Sequence, residues 1–137
     1  MRKSILTYDP QVNMGYLYLI SKRVPHGHCR ELDEDSELIL DFDKNNKLIG
    51  VEFFPNNSHK IRELIRGNKQ FDKKYKNENM YYVLQLSKGD AKVTLQLEEQ
   101  DIHFIFGNEQ LDDLLAIEIY ATEDYDELFL TGDKTVR

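Results

Sequence analysis

One cysteine, three prolines and no tryptophan among 137 residues remove several architectures at the outset. A single thiol, Cys29, cannot close an internal disulfide or make a cysteine-rich zinc site. No apolar run approaches the roughly 18 residues of a membrane-spanning helix. The opening MRKSILTYDP carries two basic residues but lacks the apolar stretch of a signal peptide, so the expected location is the cytoplasm, without membrane contact. GxSxG, GxGxxG and P-loop patterns are also absent. Cys29 and His28 are adjacent, and neighbours on a strand point to opposite faces. No catalytic residue is therefore assigned, and the chain is expected not to be an enzyme.

What is present is a globular balance, 40% hydrophobic and 31% charged, which is enough apolar material to build a core. The net charge of -7 argues against general coating of nucleic acid, which needs Lys and Arg for phosphate. The sign is unevenly spread. Met1 to Ser58 holds seven basic and nine acidic residues, His59 to Lys76 seven and two, and Asn77 to Arg137 four and fourteen. The middle segment (Lys60, Arg62, Arg66, Lys69, Lys73, Lys74, Lys76, with Phe71 and Tyr75 interleaved) has the composition of a phosphate-binding patch. It also reads as a solvated helix face and linker between two acidic halves.

Sliding the sequence on itself by 66 positions aligns NMGYLYLISK from Asn13 with NMYYVLQLSK from Asn79, and DSELILDFDKNNKLIGVEFF from Asp35 with DIHFIFGNEQLDDLLAIEIY from Asp101. Asn13/Asn79, Tyr16/Tyr82, Ile39/Ile105, Leu48/Leu114 and Glu52/Glu118 are identical pairs. The chain reads as two copies of one unit, residues 1–68 and 69–137. Each is too small to bury its own apolar face well, so the copies should pack into one compact body with a pseudo-twofold, as a monomer or weak homodimer. Tyr16, Leu38, Leu40, Val51 and Phe53, with Tyr82, Phe104, Phe106, Ile117 and Ile119, are the expected core, and Leu40 rather than Ile39 should face inward.

Within copy one SILTYD, MGYLYLIS, ELILDFD and KLIGVEFF read as strands, the last two joined by a hairpin at Lys44-Asn45-Asn46-Lys47. NNSHKIRELIRG reads as a short amphipathic helix capped by Asn57 or Ser58 and stopped by Gly67. Copy two offers MYYVLQLS, AKVTLQLE, IHFIF and LLAIEIYA, and its tail EDYDELFL a last helical turn; VTLQLE finds no partner at HGHCRE. The expected class is α+β, a tandem repeat of a four-stranded antiparallel unit with one or two short helices.

Tyr8-Asp9-Pro10, the strand Tyr16 to Ile20, Asp41-Phe42-Asp43 and Gly50-Val51-Glu52 occur in that order. This set resembles the small bacterial DUF2283 domain family over residues 5–54, with a YDP opening, an alternating strand and a D-aromatic-D turn running into a G-V-E strand. The resemblance implies a fold and no activity. At the shift of 66, copy two keeps Glu118 and has Gly107-Asn108-Glu109 in place of Asp-Phe-Asp.

No cofactor or metal is expected. The side chains that could hold one are His26, His28, Cys29, Asp41 and Asp43, with Asp33, Asp35 and His59 elsewhere. Asp41 to Glu52 nearly spells a calcium loop, but both flanks have strand composition and position 6 is Asn46 rather than Gly. Glu52 and Glu118 could meet across the pseudo-twofold as paired acids. Eight Tyr and seven Phe exceed what a small sheet core requires, and aromatics on an acidic surface suit a protein partner. The expected function is a non-enzymatic acidic protein-interaction module of the antitoxin, immunity or phage-accessory kind, bacterial or phage in origin. The alternatives are nucleic-acid binding through residues 59–76 and a small metal-dependent enzyme.

Overall fold

Alternation of apolar and polar side chains becomes ten strands in the computed structural model, which describes residues 1–132. They are β1 (Leu6–Asp9), β2 (Met14–Tyr18), β3 (His26–Glu31), β4 (Leu38–Asp43), β5 (Leu48–Phe53), β6 (Asp72–Lys76), β7 (Asn79–Gln85), β8 (Val93–Gln96), β9 (Ile102–Phe106) and β10 (Leu114–Ile119). Helix α1 (Pro55–Arg66) follows β5; a 3₁₀ turn (Thr122–Asp124) and helix α2 (Glu127–Thr131) follow β10. The strands form two antiparallel sheets of the same order, β1-β2-β5-β4-β3 and β6-β7-β10-β9-β8. The class is α+β with tandem repeated units, and each unit has five strands rather than four. The strands missing from the sequence reading are β3, whose HGHCRE lacks apolar alternation, and β6, whose DKKYK is nearly all charged. Both are edge strands, which need little burial. Residues 133–137 of the second unit lie outside the described residues.

Inward-facing side chains of both sheets belong to one core cluster that includes Leu17, Leu40, Phe42, Val51 and Phe53 with Leu84, Phe104, Phe106, Ile117 and Ile119. Leu40 is fully buried and Ile39 only partly, so the core lies on the expected face. Tyr16 is the exception, being half-buried on the outward face while Tyr82 is 2% exposed.

Strand pairing explains the exception. Val51 sits between Leu17 and Leu40, and Ile117 between Leu84 and Phe104. If the central strands β5 and β10 are matched at a shift of 66, then β2 and β7 match at 67 and β4 and β9 at 64. A slip of one residue turns a side chain to the other face, whereas a slip of two preserves the face. Tyr16 therefore corresponds to Val83 and not to Tyr82, while Leu40 corresponds to Phe104 and Phe42 to Phe106. The two-residue difference lies in the hairpin. Five residues separate Phe42 from its partner Leu48 and seven separate Phe106 from Leu114. The bulge itself is shared, at Ile49 and at Leu115. Strand β8 is the counterpart of β3 at a shift of 65, since His28 pairs with Phe42 and Val93 with Phe106.

Helix α1 begins one residue after Phe54, with Pro55 in its first turn and no side-chain cap. Proline suits that position because its missing N–H would be unpaired there in any case. Asn57 and Ser58 are thus inside the helix and buried. Gly67 ends it as expected, donating its N–H to Glu63 O. The hairpin at residues 44–47 is present, with Asn46 left-handed at φ 61°.

The copies clasp each other at equivalent residues. Leu48 N–H donates to Gln100 Oε1 at 2.7 Å and Leu114 N–H to Asn57 Oδ1 at 3.1 Å. Leu48 O accepts from Tyr125 OH at 2.7 Å and Leu114 O from Lys60 Nζ at 2.8 Å. Each copy so pairs backbone groups of the first residue of the other's central strand.

Arg30 on β3 adds a two-point contact between copies, donating from Nε and Nη2 to Glu99 at 3.0 and 2.8 Å. The hydrogen bond from Arg30 holds the Glu99 carboxyl below its ordinary value of 4.5. A depressed folded-state value means that the pair's stabilisation is full above that ordinary value and is lost as pH falls through the lower one. In a series of thermal melts, Arg30→Met should lose part of the acid-side fall in Tm seen for the parent chain; identical acid limbs would show that the pair contributes nothing.

Candidate functional site

On the outward face of the first sheet, Tyr16 on β2 reaches across β5 and donates its hydroxyl to Asp41 Oδ2 on β4 at 2.5 Å. The intervening residue is Gly50, where an added Cβ would lie 2.0 Å from the Tyr16 hydroxyl oxygen. Glycine is required there because the ring occupies the space of a side chain. Burial, then the hydrogen bond to Asp41, pushes the Tyr16 phenol well above its ordinary value. It is a fixed donor at neutral pH, not a base. Glu52, half-buried, faces Tyr16 directly across the β2–β5 pair.

Beside this set, Tyr18 packs on Tyr16 with centroids 4.5 Å apart, and the Arg2 guanidinium lies 4.2 Å over the Tyr18 ring. With Lys22 and Arg23 they line a hollow of about 250 Å³. At the other side of Asp41, His26 Nε2 stands 3.8 Å from Asp41 Oδ1. Cys29, exposed, is the cross-strand partner of Asp41. A metal ligand atom from each of His26, Cys29 and Asp41 lies within 4.8 Å of the others.

The remaining metal candidates stand apart. His28 stacks on Phe42 at 4.9 Å. Asp43 accepts the N–H groups of Asn45 and Lys47 at 2.8 and 3.0 Å and so builds the hairpin turn. Asp41 and Asp43 thus serve different structures, and the segment is a strand pair with no calcium-loop geometry. Asp33 accepts from Asp35 N–H in a turn, and His59 is exposed on α1.

The basic segment is divided between helix α1, strand β6 and the link joining them, and several of its charges are paired. Lys60 is largely buried against Asp113 at 2.6 Å, Arg62 lies 5.8 Å over the Tyr8 ring, and Arg66 pairs with Glu63. Lys69 pairs with Asp72 and Lys73 with Glu127, while Lys76 contacts the Tyr120 hydroxyl at 3.4 Å. Lys74 is exposed on β6. Glu52 and Glu118 do not meet: each sits on the outward face of its own sheet, opposite in alternation to the core residues Val51 and Ile117. Glu118 instead accepts from Tyr120 OH at 2.7 Å.

The outward face of the second sheet has a different character. The positions of Tyr16, Asp41 and Gly50 are taken by Val83, Ile105 and Ala116, and Asp41-Phe42-Asp43 corresponds to Ile105-Phe106-Gly107. Val83, Ala116 and Tyr81, with Ile105 and Tyr120, form an apolar cluster separate from the core. Tyr81 stacks on Tyr120 at 4.9 Å, and His103 packs on Tyr120 at 4.7 Å. Burial, then the bond to Glu118, pushes the Tyr120 phenol up, so it also remains a donor.

The sequence alone points to Asp41 and Glu52, but it assigns Tyr16 to the core and gives no signal for Arg2, Tyr18, Lys22 and Arg23. The usable signal for Tyr16 was Gly50, a glycine inside an otherwise apolar strand that marks close approach by another group.

Fold and site together define a tandemly duplicated α+β protein in which Tyr16 and Asp41 of the first copy give way to Val83 and Ile105 in the second. Residues 5–54 match the family described as a protein of unknown function (DUF2283). The match spans the whole first sheet and takes in Tyr16, Asp41, Gly50 and Glu52. No curated protein and no solved structure matches the chain. No helix among the described residues is long and apolar enough to cross a membrane.

Proposed function

We propose that the protein is a non-enzymatic binding module that seats a protein partner on the outward face of its second sheet. The observation that carries this reading is the second apolar cluster, in which buried Tyr81, Val83 and Ala116 are packed against by half-buried Ile105 and Tyr120, with Tyr120 stacked on Tyr81, on the side of the sheet away from the core. Aromatic rings over an apolar floor, bordered by polar groups, are the anatomy of a protein interface. The border here includes Glu118, Asp101 hydrogen-bonded to His103 at 2.8 Å, and Lys76. The second unit, residues 69–137, carries fifteen acidic against eight basic residues, which favours a partner with a basic surface and speeds its encounter. Phenols held protonated beside carboxylates suit recognition better than proton transfer. An inhibitor of the antitoxin or immunity type, or a phage accessory protein, acting in the cytoplasm where a free Cys29 stays reduced, is the biological role that fits.

Capture from host extract should yield a stoichiometric protein, and calorimetry on the purified pair should give a 1:1 complex. Tyr120→Ala and Ile105→Glu should each weaken that complex about 30-fold or more, with Glu52→Gln on the opposite sheet as an unaffected control. A complex that tolerates both substitutions, or depends on Glu52, would refute this face. Binding of short RNA or DNA that collapses on replacing Lys73, Lys74 and Lys76 by Ser would favour the nucleic-acid reading instead.

A further inference from the structure

We propose that His26, Cys29 and Asp41 form a binding site for a divalent transition-metal ion of the zinc class, on the first sheet and independent of the partner face. Thiolate, imidazole and carboxylate together are the donor types that a borderline-soft ion selects. The two negative ligands would balance its charge.

The backbone is shaped to bring these three together. His26 and Cys29 are three apart, which on a regular strand would place them on opposite faces. The β3–β4 register shifts between His26 and His28, and this bulge turns His26 to the side of Cys29 and Asp41. Bulges recur where a side chain has to be re-aimed. Gly27 makes the bulge possible, because a Cβ there would lie 2.2 Å from Asp43 O. In the second copy β8 begins only at Val93, the counterpart of His28, and Thr94 and Ile105 stand where Cys29 and Asp41 do. The strand extension that carries His26, and the ligands Cys29 and Asp41, thus have no counterpart among the described strands of the second copy.

The Asp41 carboxylate is divided in the manner of a metal ligand. Its Oδ2 accepts from Tyr16 OH at 2.5 Å while its Oδ1 faces His26 at 3.8 Å. Hydrogen bonds of this kind orient ligating carboxylates and are part of the site. Bond lengths of about 2.0 to 2.3 Å put tetrahedral ligand atoms roughly 3.3 to 3.8 Å apart. The present spread of up to 4.8 Å closes by rotation of the His26 and Cys29 side chains, both exposed. Three protein ligands leave a fourth position open to solvent, the arrangement that receives an exogenous ligand rather than a purely structural one.

The full chain, reduced and metal-free, should be titrated with Co²⁺ and then Zn²⁺. One equivalent of Co²⁺ should produce thiolate-to-cobalt absorption that Zn²⁺ abolishes. Cys29→Ser should remove that absorption. His26→Ala and Asp41→Asn should weaken Zn²⁺ binding more than about tenfold, and Tyr16→Phe, acting through Asp41, about tenfold. His28→Ala, on the same strand but stacked on Phe42, should bind as the parent does. Circular dichroism of each variant identifies any that fails to fold; in that case the parent chain alkylated at Cys29 replaces it and should bind no Co²⁺. Absence of the thiolate absorption at one equivalent, equal Zn²⁺ affinity with and without Cys29, or a loss in His28→Ala matching that in His26→Ala would each overturn the site.

Discussion

Residues 1–67 expressed alone should be unfolded, or should dimerise so that a second molecule replaces the missing copy. The inward faces of both sheets make one core cluster, and removing the second copy would bare Leu40, Phe42, Val51 and Phe53, all fully buried in the intact chain. Leu48 N–H and C=O would lose Gln100 and Tyr125, leaving polar groups to be resolvated on an otherwise apolar surface. A unit of this size buries only about 60% of the surface its unfolded chain exposes, which leaves little margin even with an intact core. Circular dichroism with light scattering reads both outcomes directly. A stable, folded monomer would mean that each copy carries a sufficient core and that the clasp between them is incidental.

Phe42→Ala and Phe106→Ala should destabilise the chain by about 3–5 kcal/mol each, a large share of the roughly 5–15 kcal/mol that holds a domain folded. Both rings are fully buried and each pairs with the first residue of the central strand, Leu48 or Leu114. Equivalence predicts similar costs for the two. Tyr16 and Tyr82 provide the contrast, because they match in sequence but face opposite sides. Tyr82→Ala should cost about 3–5 kcal/mol, as for other buried aromatics, although burial and then Glu127 push its phenol up to about 12 and show a polar edge to its site. Tyr16→Ala should cost about 1 kcal/mol, the scale of one hydrogen bond. Denaturant unfolding of the four variants checks this. Equal losses at Tyr16 and Tyr82 would restore the uniform shift of 66 and undo the strand-by-strand register.

How much was legible in advance follows the physics of each element. Strands with one wet and one dry face announce themselves, and β4, β5, β9 and β10 appear in the sequence as they do in the structure. Edge strands do not, because they bury little: β3 is almost wholly exposed and β6 is lysine-rich. The helix is visible through Ile61, Leu64 and Gly67, but it starts three or four residues before the caps expected at Asn57 or Ser58, because proline, which ends a strand, also opens a helix. Asn57, one of the two expected caps, is instead a contact to Leu114 in the other copy.

The amino-acid order by itself determined that the chain is duplicated, that both units are antiparallel sheet, and which face of the central strands is dry. Those properties depend on alternation and composition, which are local and survive small errors of register. Which tyrosine faces solvent, whether Glu52 meets Glu118, and which of His26 and His28 joins Cys29 were decided only in the tertiary structure. Each depends on a bulge or a slip of one residue between paired strands, a displacement too small to alter the pattern along the chain yet large enough to carry a side chain from one side of the sheet to the other.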